Sequence, residues 1–173
     1  DFADTGELDS LLKALRSRKG PAQHTIISYG DVLFNKYIPQ SLCQETDDCV
    51  IFVDSNWQEQ SSYARLGGFT ECTIPNSRRA FNAKIYLKQL GDKFPKESIH
   101  GVWMGFLKVS PSAVKLITDI IVEMLANPAN RKAGIPQLLQ ELLKRQYPVR
   151  VLYTAGHWLD INSIEDVVQA GNF

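Results

Sequence analysis

Two aspartates offer this sequence's clearest chemistry. Asp31 closes the run Ile26-Ile27-Ser28-Tyr29-Gly30-Asp31, in which a β-branched apolar stretch ends in a glycine and then an acid. That order suits a buried parallel strand delivering a carboxylate to its C-terminal edge, where ligands of open α/β sheets sit. Asp160 stands in His157-Trp158-Leu159-Asp160-Ile161-Asn162, just ahead of a helix signal. A carboxylate is a hard oxygen donor, and Mg2+ takes one or two of them beside phosphate and water. Two acids far apart in sequence therefore form a candidate metal pair. Gly30 lets a backbone approach a bound group. Asn162 reads either as a neutral oxygen for the same ion or as a helix N-cap.

Weaker candidates surround this pair. Trp103 and Trp158 could face a substrate or a quaternary ammonium group, or simply belong to the core. Arg78, Arg79, Lys84 and Lys88 could receive an anion, though such a run usually marks a solvated helix face. Asp54 also ends an apolar run and reads as a turn residue without a partner. His24, His100 and His157 have no ligand spacing.

The elements that must position these residues read as an α/β pattern. A leucine stripe (Leu8, Leu11, Leu12, Leu15) predicts a helix over Glu7 to Arg18, stopped by Gly20-Pro21. A strand and its exit follow over His24 to Phe34, then a short helix over Lys36 to Gln44 and a buried strand from Asp48 to Val53. Ser55 to Gly68 reads as a loop and Phe69 to Ile74 as a short strand. A helix is expected over Arg78 to Leu90 and a strand over Ser98 to Val109. Ser110 and Pro111 then open a helix running to Asn127-Pro128. Another helix covers Ile135 to Arg145, a strand Val149 to Tyr153, and a last helix Ser163 to Ala170. The alternation predicts βαβ units and a mostly parallel sheet.

The chain has 173 residues, enough for one domain over 1–173 with a real core. Lys+Arg and Asp+Glu both number 19, and the zero net charge argues against nucleic acid or a membrane surface as partner. No apolar run approaches the roughly 20 residues that span a bilayer. Cys43, Cys49 and Cys72 are odd in number and lack paired spacing, and no leader opens the chain. A cytoplasmic protein is expected.

Three blocks carry a resemblance. They are Ser28-Tyr29-Gly30-Asp31-Val32-Leu33-Phe34, Gly105-Phe106-Leu107-Lys108-Val109-Ser110, and Trp158-Leu159-Asp160-Ile161-Asn162-Ser163-Ile164-Glu165-Asp166. In that order they resemble the Rossmann-like nucleotidyltransferases, which join a nucleoside triphosphate to a phosphorylated or phosphonylated acceptor. The first block is most similar to the cytidylyltransferase domains of phosphonate biosynthesis, which can be fused to phosphoenolpyruvate phosphomutase. The opening Thr5-Gly6-Glu7-Leu8-Asp9-Ser10-Leu11 resembles the helix before the metal strand.

The resemblance implies a Mg2+-dependent enzyme that uses CTP and a small phosphonate or phosphate. Asp31 and Asp160 would hold the metal and serve catalysis. Tyr29 and Gly30 would lie along the nucleotide. Trp103, Gly105 and Asn162 would contact substrate, and residues from about Phe69 to Val109 would shape the acceptor pocket. The family's opening glycine-rich loop has no counterpart here, where the one Gly-Gly pair is Gly67-Gly68. The chain is therefore expected to be the C-terminal two-thirds of such a domain, lacking its first strands and its triphosphate cradle. Two rivals remain at this point: a non-catalytic binding domain that has lost the loop, and a sugar-nucleotide enzyme of similar sheet topology.

Overall fold

The computed structural model describes residues 5–19, 23–59, 68–80 and 83–171. Its six-stranded sheet contains β1 (Thr25–Ser28), β3 (Cys49–Asp54), β4 (Phe69–Cys72), β5 (Ile85–Gly91), β6 (Gly101–Val109) and β7 (Val149–Thr154). The strand order is β1-β6-β3-β7-β5-β4, and β4 also pairs with the start of β6, so the sheet curls back on itself. A separate ribbon pairs β2 (Val32–Phe34) with β8 (Trp158–Asp160). The helices are α1 (Glu7–Ser17), α2 (Tyr37–Gln44), α3 (Val114–Ala126), α4 (Ile135–Lys144) and α5 (Ile164–Ala170).

The α/β class, the mixed sheet and the flanking helices agree with expectation. The expected predominance of parallel pairs does not hold: the parallel ladder is β3 with β7, and the other pairings are antiparallel. The central strand β6 runs against both neighbours, β1 and β3. An apolar run buried on both faces looks the same in either direction, so sequence alone could not orient it.

Both sheet faces are covered. Cys49, Ile51 and Val53 of β3 face a core shared with α1, α3 and α4. Val50 and Phe52 face a second core with Ile38 and Leu42 of α2 and with Val32 and Trp158 of the ribbon. Each fully buried leucine, such as Leu8 or Leu138, contributes roughly 1.5–3 kcal/mol.

The helix expected over Arg78 to Leu90 is a short 3-10 turn at Arg78–Ala80 followed by β5, with residues 81–82 outside the described residues. Ile85 and Leu87 are buried two apart, a strand period, and a register shift opposite Glu71 and Cys72 brings Leu90 inward as well. That shift gives the run its helix-like spacing. The helix expected from Pro111 begins at Val114; Ser110 accepts from the Ala113 amide and closes the turn before it.

Candidate functional site

β1 ends at Ser28, and the chain turns at Gly30-Asp31 before entering β2. β2 pairs antiparallel with β8 so that Val32 stands opposite Asp160. The Ile161 amide then donates to the Asp31 carbonyl at 2.8 Å. Main-chain bonds thus hold Asp31 beside Ile161, one residue along the ribbon from Asp160. A ribbon this short is marginal alone in water. Burial of Val32 and Trp158 in the second core holds it to the sheet.

Asp54 anchors the same ribbon, which corrects its reading as an unpartnered turn residue. It is fully buried. Its Oδ1 accepts from the amides of Asn56 at 2.9 Å and Gly156 at 3.0 Å. Its Oδ2 accepts from the Trp158 indole N–H at 2.8 Å. A buried carboxylate costs free energy unless its lone pairs are filled, and here filling them orients the turn that delivers Asp160. The signal for this role was an acid closing a wholly apolar strand, whose partner a hundred residues away no local pattern reveals.

A cavity of about 230 Å³ opens beside the ribbon. Of the residues singled out in the sequence, Tyr29, Trp103, Gly105, Trp158 and Asp160 line it; Gly30, Asp31 and Asn162 lie outside its wall. Gly105 is required there. Its φ is +79°, and a Cβ would lie 2.7 Å from Tyr29 Cδ2. Gly30 has open space around it. The Trp103 indole N–H donates to the Phe106 carbonyl at 2.8 Å, so that tryptophan offers the cavity its ring. Asp92 also lines the cavity and accepts from the Gly68 amide at 3.0 Å. Among the described residues the wall carries two carboxylates and no cationic side chain.

Asn162 is not the cap of α5. Ser163 caps it and accepts from the Asp166 amide. The Asn162 side chain instead donates to Asp160 Oδ2 at 2.7 Å. It is thereby a partner of the candidate ligand, a placement neither of its sequence readings anticipated. His157 likewise turns elsewhere, its Nδ1 lying 3.1 Å from the Tyr37 hydroxyl.

Burial pushes the Asp160 carboxyl above the usual carboxylate range; the Asn162 hydrogen bond opposes this, and the charges of Asp31 and Asp166 add to it. Burial also raises the Tyr29 phenol, followed by the Glu7 carboxylate and then by Asp31 and Asp160, so the phenol stays protonated. A carboxylate whose charge is disfavoured by a second carboxylate nearby suits a divalent cation, which relieves that repulsion. Among the described residues no third His, Cys, Asp or Glu joins them. Two carboxylates nonetheless match the share of its coordination shell that Mg2+ takes from protein.

No protein-family model and no curated protein matches the chain. Solved structures do match its fold. The inositol-1-phosphate CTP transferase of T. maritima superposes with a TM-score of 0.67 at 12% identity, over 96% of this chain and 59% of that one. CTP:phosphocholine cytidylyltransferase from Streptococcus pneumoniae gives 0.64 at 12% identity, over 99% and 64%. A UDP-glucose pyrophosphorylase complexed with UDP-glucose gives 0.65 at 16% identity, over 98% and 61%. The fold is one that nucleotidyltransferases use. The chain spans about three-fifths of the length of these structures.

Proposed function

We propose that the chain is the metal-side and acceptor-side part of a nucleotidyltransferase domain. In this reading the parent protein moves a nucleotidyl group, from CTP by preference, to a small phosphonate or phosphate acceptor and releases pyrophosphate. The observation that carries the reading is the β2–β8 pairing, which brings the Asp31 backbone to within one residue of Asp160, with Asp160 itself on the wall of an aromatic cavity. Among the described residues β1 ends the strand order of the sheet, and a sheet edge can pair with further strands of a parent domain. The resemblance to cytidylyltransferases of phosphonate biosynthesis supports the choice of nucleotide and acceptor. Fusion to a phosphoenolpyruvate phosphomutase belongs to the same proposal.

In this reaction an acceptor oxyanion attacks the α-phosphorus and pyrophosphate leaves. Both reactants are anionic, so positioning and charge neutralisation carry the catalysis. Asp31 and Asp160 would hold Mg2+, which when bound supplies positive charge to the phosphates. Asn162 keeps the Asp160 carboxylate oriented through its 2.7 Å hydrogen bond. The protonated Tyr29 phenol donates to Glu7, and its ring lines the cavity. The rings of Trp103 and Trp158, which line the cavity, would pack against a cationic group on the acceptor.

A non-catalytic binding domain is the second reading, favoured by the lack of a cationic side chain on the described cavity wall. One assay separates them. The chain, alone and extended by its natural upstream segment, is given CTP, Mg2+ and phosphocholine, inositol 1-phosphate or 2-aminoethylphosphonate. Pyrophosphate release by the extended chain, abolished by Asp31→Asn, supports the transferase. CTP binding without release by either form supports the binding domain.

A further inference from the structure

The wall of the cavity is held from outside the cavity. The Tyr29 ring lies over Gly105 and meets Trp103 edge-on, with ring centroids 5.7 Å apart at 64°. Its hydroxyl points away and donates to Glu7 Oε2 at 3.0 Å. The same oxygen accepts from the amide of Ile135 at 3.0 Å. Glu7 is the first residue of α1 and Ile135 the first of α4. A Cβ on Gly134 would lie 2.5 Å from Glu7 Oε2, so a glycine there lets the carboxylate reach the helix end. The carboxylate fills one of the unpaired amides of α4 and lies at the positive end of its dipole. The next residue of α4, Pro136, lines the cavity.

We propose that Glu7 is a positioning residue for this cavity, its one oxygen fixing the Tyr29 ring and the first turn of α4 relative to each other. The shape of the pocket beside Asp160 then depends on α1, a helix that contributes no residue to the wall. Calling the cavity an acceptor pocket rests on the transferase reading; the tie itself does not.

Fluorine NMR of the full chain labelled with meta-fluorotyrosine tests the tie. The Tyr29 signal is assigned by its loss in Tyr29→Phe. In the wild type the ring current of Trp103 should displace it. Glu7→Ala should abolish that displacement, while Glu7→Gln, which keeps an oxygen of the same reach, should retain it. Loss of a helix cap alone would lower stability and leave the signal where it was. If Glu7→Ala fails to fold, Glu7→Asp reads the same effect, because it keeps the charge and withdraws the oxygen by one methylene. A Tyr29 signal unmoved in the folded Ala or Asp variant overturns the proposal. Adding Mn2+ tests the other reading separately. If the wild-type signal shifts with Glu7 but is not broadened by Mn2+, the metal site fails and the tie stands.

Discussion

The indole N–H of Trp158 donates to Oδ2 of Asp54 at 2.8 Å, with both residues buried. This bond joins the end of a core strand to the ribbon that carries Asp160. Trp158→Phe would keep most of the ring and remove that donor. A hydrogen bond to a charged group contributes about 1.5–3 kcal/mol. Chemical denaturation should show a loss in that range, and Mn2+ affinity should fall with it as Asp160 loses its support. An unchanged denaturation midpoint would remove Asp54 from the account.

Gly105 and Gly30 should respond differently to alanine. At Gly105 the side chain meets Tyr29 and the backbone is left-handed, which costs about 1–2 kcal/mol before any clash. Each kcal/mol lowers the melting temperature of a chain this size by about 2–4 °C. Gly30→Ala enters open space and should stay within about 0.5 kcal/mol of wild type. Equal melting temperatures for the two variants would contradict the close approach of Tyr29 to β6.

Much of this was legible because it is local. The leucine stripe of α1, the apolar run of β3 and the stripe of α4 all sit where the sequence pattern puts them. Asp31 and Asp160 could be singled out by their positions at the ends of elements. The failures are non-local. The direction of β6 depends on its neighbours, and the strand β5 was masked by a register shift that mimics helical spacing. The bond from Asn162 to Asp160 competes with capping, and Ser163 was one residue better placed to cap. The roles of Glu7 and Asp54 exist only once distant elements meet.

Asp48 should set part of the acid limit of the fold. Hydrogen bonds from Ser110 and Ser112 hold its carboxyl below the usual range, against burial, with Tyr147 and the Lys108 charge adding to them. A depressed folded pKa means stability that is present above the unfolded pKa and lost as pH falls through the folded one. Asp48→Asn should therefore cost about 1.5 kcal/mol at neutral pH, the low end for hydrogen bonds to a charged group, because the amide keeps one accepting oxygen. The gap from wild type should close as pH drops below the ordinary aspartate range. A gap that stays constant down to acid unfolding would show that the charge contributes nothing.

Asp160→Asn makes the most demanding prediction, because stability and binding should move in opposite directions. Burial, with the charges of Asp31 and Asp166, raises the Asp160 pKa. A raised folded pKa means a contribution to stability that is full below the unfolded pKa and lost as pH rises through the folded one. The charged carboxylate therefore costs the metal-free fold at neutral pH, and the amide should remove that cost. The carboxylate is only half-buried and solvent screens it, so the gain should be no more than about 1 kcal/mol. It should vanish in acid. Mn2+ affinity, read by calorimetry, should fall by more than the roughly 10–100-fold that losing an outer-shell partner costs. Asn162→Ala should fall within that range, and Asp31→Asn should match Asp160→Asn in its loss of binding. On the transferase reading, either aspartate variant of the parent protein should lose on the order of a thousandfold in turnover. If Asp160→Asn binds Mn2+ as tightly as wild type while its melting temperature rises, the strained carboxylate has some purpose other than holding a metal.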